Sequence, residues 1–198
     1  MRIGIDLDDV LADSLPHYLL AFNRRFGLDV ELADGAWRIA DRFPHITRQE
    51  ADNFFSELIE NGFFSSRSLV HHAKEAVETL ADDGHDLYII TGRTPRDERI
   101  TMDWLTRVGV LSYFEAVVHR TRDPVERHKT DVASGLALSL FIEDELAVAI
   151  AVAATAIPVL LFDQPWNQGS LPDNVRRIES WPEALTQIAA LNGNGKHR

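Results

Sequence analysis

Short aliphatic runs, each closed by acids or a glycine, alternate along this chain with longer amphipathic stretches. Arg2 to Leu7, Asp86 to Ile90, Phe114 to His119, Ala137 to Ile142 and Pro158 to Phe162 are too short for buried helices and rich in Ile, Val, Leu and Phe, so they read as strands. The stretches between them carry helix start and stop signals. Ser14 opens a helix that stops at Gly27, and "TRQE" at Thr47 to Glu50 is a capping box for a helix ending near Gly62. A helix is expected from about His72 to Ala81, another from Thr94 and Pro95 to Gly109, and one from Lys129 onward. Glu145 to Ala156 is alanine-rich helix, and "SWPE" at Ser180 to Glu183 opens the last one. Asn192 to Arg198 reads as a loose polar tail.

Strands alternating with helices predict an α/β fold with a Rossmann-like parallel sheet covered by helices on both faces. One segment breaks the alternation. Between the first and second strands lie more than seventy positions, from Asp9 to Gly84, far more than one crossover helix needs. The excess predicts a small helical insert over residues 16–68, leaving a core domain of residues 1–15 and 69–198.

Ligands of an open parallel sheet bind beyond the carboxyl ends of its strands, so the residues there are the candidates for chemistry. Asp6 and Asp8 end the first strand and fall on one side of it by the period of two. Thr91, Gly92 and Arg93 end the second, Glu143 and Asp144 the fourth, Asp163 the fifth, and Lys129 lies within reach of the same edge. The chain has no cysteine, which excludes thiolate metal sites and disulfides and points to a reducing, cytoplasmic setting. Clustered carboxylates without cysteine suit Mg²⁺, which keeps places for water and phosphate when few protein oxygens hold it. The net charge of −11 argues against nucleic-acid polymers and anionic membranes as partners. No apolar run is long enough to span a bilayer, and Asp6 interrupts any leader-like run at the N-terminus.

"DLDDVLADS", "IITGR", the isolated Lys129 and "FIEDE" resemble, in order and on the expected elements, the motifs of the haloacid dehalogenase (HAD) superfamily of phosphatases. With "NGFFSS" before a helix leading to "YIITGR", and "LLFDQPWNQ" at Leu160 to Gln168, the chain is most similar to the 5'(3')-deoxyribonucleotidases and their bacterial relatives. The resemblance implies a HAD-like core with a helical cap, and a Mg²⁺-dependent phosphomonoesterase acting on a (deoxy)nucleoside monophosphate. It implies Asp6 as nucleophile, Asp8 as general acid and then base, and a metal held by Asp6, the Asp8 backbone carbonyl and Asp144. Thr91 with Gly92 and the backbone after it would hold phosphoryl oxygens, Lys129 would neutralise nucleophile and phosphate, and Arg93 would touch phosphate or pair with Asp97 or Glu98. Phe63 and Phe64, where the insert rejoins the core, are the candidates for touching substrate.

Asp9 stands where the superfamily often has glycine, and Asp tolerates the positive φ that glycine allows. Asp13 reads as a helix cap, Glu143 as either a partner within the site or a solvated strand end, and "DQPWN" as a structural loop. His71, His72 and His128 read as surface residues. Other readings remain: a phosphatase for another small phosphomonoester such as a sugar phosphate, a catalytically silent phosphate-binding protein on this fold, or a receiver-type signalling domain. The last is disfavoured by the insert and by a third strand ending in His119 and Arg120 rather than an acid. The base, the sugar, the phosphate position and a possible homodimer are left open.

Overall fold

A computed structural model of the chain describes residues 1–194. Six parallel strands lie in the order β3-β2-β1-β4-β5-β6. They are β1 (Arg2–Ile5), β2 (Asp86–Ile90), β3 (Phe114–Val118), β4 (Leu140–Glu143), β5 (Val159–Phe162) and β6 (Val175–Ile178). β1 sits inside the sheet between β2 and β4, with Ile5 opposite both Ile89 and Ile142, so the acids that follow it emerge at the middle of the carboxyl edge. The strands there are aliphatic on both faces because both faces are covered. On one side Ala76, Val77 and Leu80 of α3 (Ala73–Asp82), Trp104 and Leu105 of α4 (Glu98–Arg107) and Trp181 and Ile188 of α7 (Trp181–Asn194) pack on Ile3, Ile5 and Leu87. On the other, Ala133 of α5 (Val125–Gly135) and Val148, Ala149 and Val152 of α6 (Leu146–Ala153) pack on Phe141, Val159 and Leu161.

The long excursion after β1 holds α1 (Leu15–Phe26) and α2 (Arg48–Glu60) joined by short 3₁₀ turns, one of them (Ile39–Arg42) inside the stretch expected to be plain loop. Tyr18, Leu19, Phe22, Ile39, Phe54, Phe63 and Phe64 form a third apolar cluster there, separate from the two that flank the sheet. The capping box of α2 is formed: Thr47 Oγ1 accepts from Glu50 N at 3.2 Å and the Glu50 carboxylate accepts from Thr47 N at 2.8 Å. The outgoing and returning strands of chain run side by side. Asp13 N donates to Ser68 O at 3.0 Å and Val70 N donates to Leu11 O at 2.8 Å.

Several sequence expectations need correction. β6 was not anticipated, because "VRRI" neither alternates nor forms an apolar run. It is an edge strand whose Arg177 donates to Asp163 and to Asn167. α5 begins at Val125, so Lys129 sits inside the helix rather than at its start. Ser14 is the residue at the N-cap of α1, as expected, but neither its side chain nor that of Asp13 makes the capping hydrogen bond. Asp9, at φ 62°, turns back so that its carboxylate accepts from Ser14 N at 3.0 Å and Leu15 N at 2.8 Å. Asp13 instead meets His17 at the surface. His128 is buried, because α5 lays it against the cleft lined by Val118, His119 and Arg122. Asn192 to Asn194 continue α7, and the remainder of the polar tail lies outside the described residues.

Candidate active site

Parallel pairing carries β1 and β4 to the same edge, and the ladder extends one step further as Asp6 N donates to Ile142 O at 2.9 Å. Asp6, Glu143 and Asp144 are thereby brought together, with one carboxylate oxygen from each lying within 4.8 Å of the others. All are buried. One ammonium faces them: Lys129 Nζ, itself buried, lies 2.8 Å from Asp6 Oδ1 and 2.9 Å from Glu143 Oε2. Glu143 is thus a full member of the cluster rather than a solvated strand end.

The charges do not balance, and the titration behaviour follows. Burial pushes Asp6 up to about 7, with Glu143 and Asp8 adding to the rise and Lys129 opposing it. Burial likewise raises Asp144 well above the ordinary carboxylate range, helped by Asp9 and Glu143. Burial alone would lower Lys129, but its pairs with Asp6 and Glu143 overcome this and hold the ammonium above its ordinary value. Three buried carboxylates against one ammonium is an arrangement that a divalent cation would neutralise, and hard oxygen donors suit Mg²⁺. The donor set therefore fits a metal; Asp6 and Asp144 would hold it with Glu143 beside them, while Lys129 pairs with Asp6 and Glu143 alike.

Beside the cluster stands a second group. Both oxygens of Asp8 are engaged: Arg93 Nε donates to Oδ2 at 2.9 Å, Arg93 Nη2 to Oδ1 at 2.7 Å, and Ser14 Oγ to Oδ1 at 2.7 Å. Arg93 thus pairs with Asp8 rather than with Asp97 or Glu98, because Asp97 already caps the turn at Thr94. Thr91 is fully buried and its hydroxyl accepts from Arg93 N at 3.1 Å, which shapes the Thr91–Gly92–Arg93 turn. Phe63 and Phe64 lie in the apolar cluster of the insert, their rings covered by the guanidinium groups of Arg67 at 4.5 Å and Arg93 at 3.8 Å.

Sequence reasoning missed two contributors. Trp166, in the loop after β5, donates from Nε1 to Asp144 Oδ2 at 2.9 Å, and Asn167 Nδ2 donates to Asp144 O at 2.6 Å. Such hydrogen bonds orient a ligating carboxylate. The missed signal is topological: the loop after β5 leaves the sheet at the same edge as Asp6, so its donors belonged among the candidates. Ser14 was read as a cap while its hydroxyl turns to Asp8. A cleft of about 390 Å³ opens from Asp144 and Glu145 toward Leu15, Gly35, Trp37, Ile150 and Trp166, between the insert and the sheet edge.

Residues 1–192 match the family model described as 5' nucleotidase, deoxy (pyrimidine), cytosolic type C. The Bacillus subtilis protein YqfW, which carries a provisional nucleotidase name, is 30% identical over 202 residues, covering 100% of this chain and 96% of that one. The nucleotidase CA_C3379 of Clostridium acetobutylicum is 24% identical over 191 residues, covering 96% and 95%. In fold, the haloacid dehalogenase-like hydrolase SP0104 of Streptococcus pneumoniae superposes with a TM-score of 0.70 at 15% identity, covering 94% of this chain and 97% of that one. A predicted phosphatase from Clostridium acetobutylicum reaches 0.75 at 15% identity, covering 96% and 98%. The chain belongs to the cytosolic type C 5'-nucleotidase family, phosphomonoester hydrolases of HAD-like fold.

Proposed function

We propose that this chain hydrolyses nucleoside or deoxynucleoside monophosphates through an aspartyl-phosphate (an acyl phosphate) on Asp6, with Mg²⁺ as the metal. One observation carries the reading: Asp6, paired with Lys129, is buried beside Asp144, and Asp144 lines a cleft that also holds two indoles, Trp37 and Trp166. A nucleobase is a flat ring that such aromatic surfaces accommodate. When bound, Mg²⁺ would offset the repulsion between Asp6, Asp144 and a phosphoryl group.

An Asp6 oxygen attacks phosphorus while the bond to the sugar oxygen breaks, and Asp8 gives that oxygen its proton. In the second half Asp8 takes a proton from water as the water oxygen attacks the same phosphorus, releasing inorganic phosphate and the Asp6 carboxylate. Lys129 stays charged beside Asp6 throughout and steadies the equatorial oxygens, with the backbone at Gly92 as a further donor. The lack of cysteine accords with a reducing cytoplasm as the working compartment.

The test is phosphate release from nucleoside monophosphates and sugar phosphates, with and without Mg²⁺, for the parent and Asp6→Asn. Metal-dependent turnover that favours nucleotides and vanishes in Asp6→Asn is the expected result. Undiminished turnover by the variant, or by the metal-free parent, overturns the scheme. A preference for sugar phosphates leaves the chemistry and changes the substrate.

A further inference from the structure

The buried fork between Arg93 and Asp8 does something that phosphate binding does not explain. Arg93 is held at its backbone from two sides, with its N–H on Thr91 Oγ1 and its carbonyl accepting from Arg120 N at 2.8 Å. Its guanidinium lies over the Phe64 ring, 3.8 Å from the ring centre, while Nε and Nη2 donate to the two Asp8 oxygens and Nη1 donates to Thr101 Oγ1 at 3.2 Å. A planar fork on a carboxylate fixes both the position and the plane of that carboxylate. Phe64 belongs to the segment by which the insert returns to the core, and α4 clamps that segment: Trp104 Nε1 donates to Arg67 O at 2.9 Å and Arg107 Nη2 donates to Ser65 O.

We propose that Arg93 is a positioning residue for Asp8, and that Phe64 is the contact through which the helical insert sets where Asp8 stands. The inference rests on the reading of Asp8 as proton donor. The fork holds the Asp8 carboxylate in one plane, and the Phe64 ring lies over the guanidinium that makes the fork, so a shift of the insert at Phe64 is passed on to Asp8.

The test uses two substrates of similar size. Benzyl phosphate leaves as an alkoxide that needs a proton, whereas p-nitrophenyl phosphate leaves as a stable phenolate that does not. In Arg93→Lys and Arg93→Met, kcat/KM should fall roughly tenfold or more further for benzyl phosphate than for p-nitrophenyl phosphate. Inhibition by inorganic phosphate should stay at the parental level. Phe64→Leu, which touches no oxygen of Asp8, should shift the same ratio in the same direction by a smaller factor. Because Arg93 is buried, thermal melts accompany each variant, and Phe64→Leu reads the ratio even where Arg93→Met does not fold. An equal loss on both substrates with weakened phosphate inhibition makes Arg93 a phosphate ligand and overturns the proposal. An unchanged ratio in Phe64→Leu overturns the part assigned to the insert. Activity surviving in Asp6→Asn would instead sink the underlying mechanism.

Discussion

Replacing Asp6 with Asn should stabilise the metal-free protein at alkaline pH, although the side chain is central to turnover. Asp6 titrates at about 7 in the fold against 3.8 for an unperturbed aspartate, so the folded state binds its proton more tightly than the open chain does. The sign follows from that order. As pH rises through the unfolded value the open chain gains by ionising, while the folded chain follows only near 7. Stability at this site is therefore greatest in acid and lost toward alkali. Linkage puts the loss on the order of 4 kcal/mol at pH 8, more than half of which is regained by pH 5. Asn resembles the protonated carboxyl and carries no such dependence. In EDTA, Asp6→Asn should thus exceed the parent by roughly 4 kcal/mol at pH 8, or on the order of 10 °C in melting temperature, with the gap narrowing on acidification. His85, His119 and His128, all held below their ordinary values by burial, oppose this trend but do so equally in both proteins and cancel in the difference. With saturating Mg²⁺ at pH 8 the order should reverse, because the amide is the poorer ligand. The assay is urea unfolding at pH 5, 6.5 and 8 with EDTA or Mg²⁺. A gap that stays constant with pH, or a variant less stable than the metal-free parent at pH 8, would refute the charge imbalance on which the metal assignment rests.

Two other outcomes follow from particular contacts. Trp166→Phe keeps the ring but removes the hydrogen bond to Asp144 Oδ2, so half-saturation of activity should need roughly tenfold more Mg²⁺ while kcat at saturation changes little; an unchanged Mg²⁺ titration shows that the indole plays no part. A methyl group at Gly4 would meet Leu138 Cδ1 and Phe141 Cδ2 at 2.5 Å, so Gly4→Ala should lose about 1–3 kcal/mol in urea unfolding, and a neutral result would mean that the core beneath β1 can give way.

The fold was legible where burial on both faces writes a continuous aliphatic run, as in Arg2 to Ile5 and Val159 to Phe162, and where a box such as Thr47 to Glu50 fixes a helix start. β6 was not, because an edge strand has one wet side and its two arginines serve polar partners. At the site, strand ends could be read off the sequence, so Asp6, Thr91, Glu143 and Asp144 were all candidates before any coordinates. What the sequence could not supply was the pairing among them. The four aspartates between Asp6 and Asp13 are alike in composition, yet they divide by direction. Asp6 joins Lys129, Asp8 joins Arg93 and Ser14, Asp9 caps α1, and Asp13 faces water beside His17. Trp166 and His128 illustrate the same limit, since a loop indole and a helical histidine acquire their surroundings only from long-range packing.

The paired backbones at Asp13–Ser68 and Leu11–Val70 bring the two ends of the excursion together. A segment joined to the sheet at one such doorway can change in length or shape with little strain on the strands that carry Asp6 and Asp144. The contact of Phe64 with Arg93 is the place where such a change would be felt at the site.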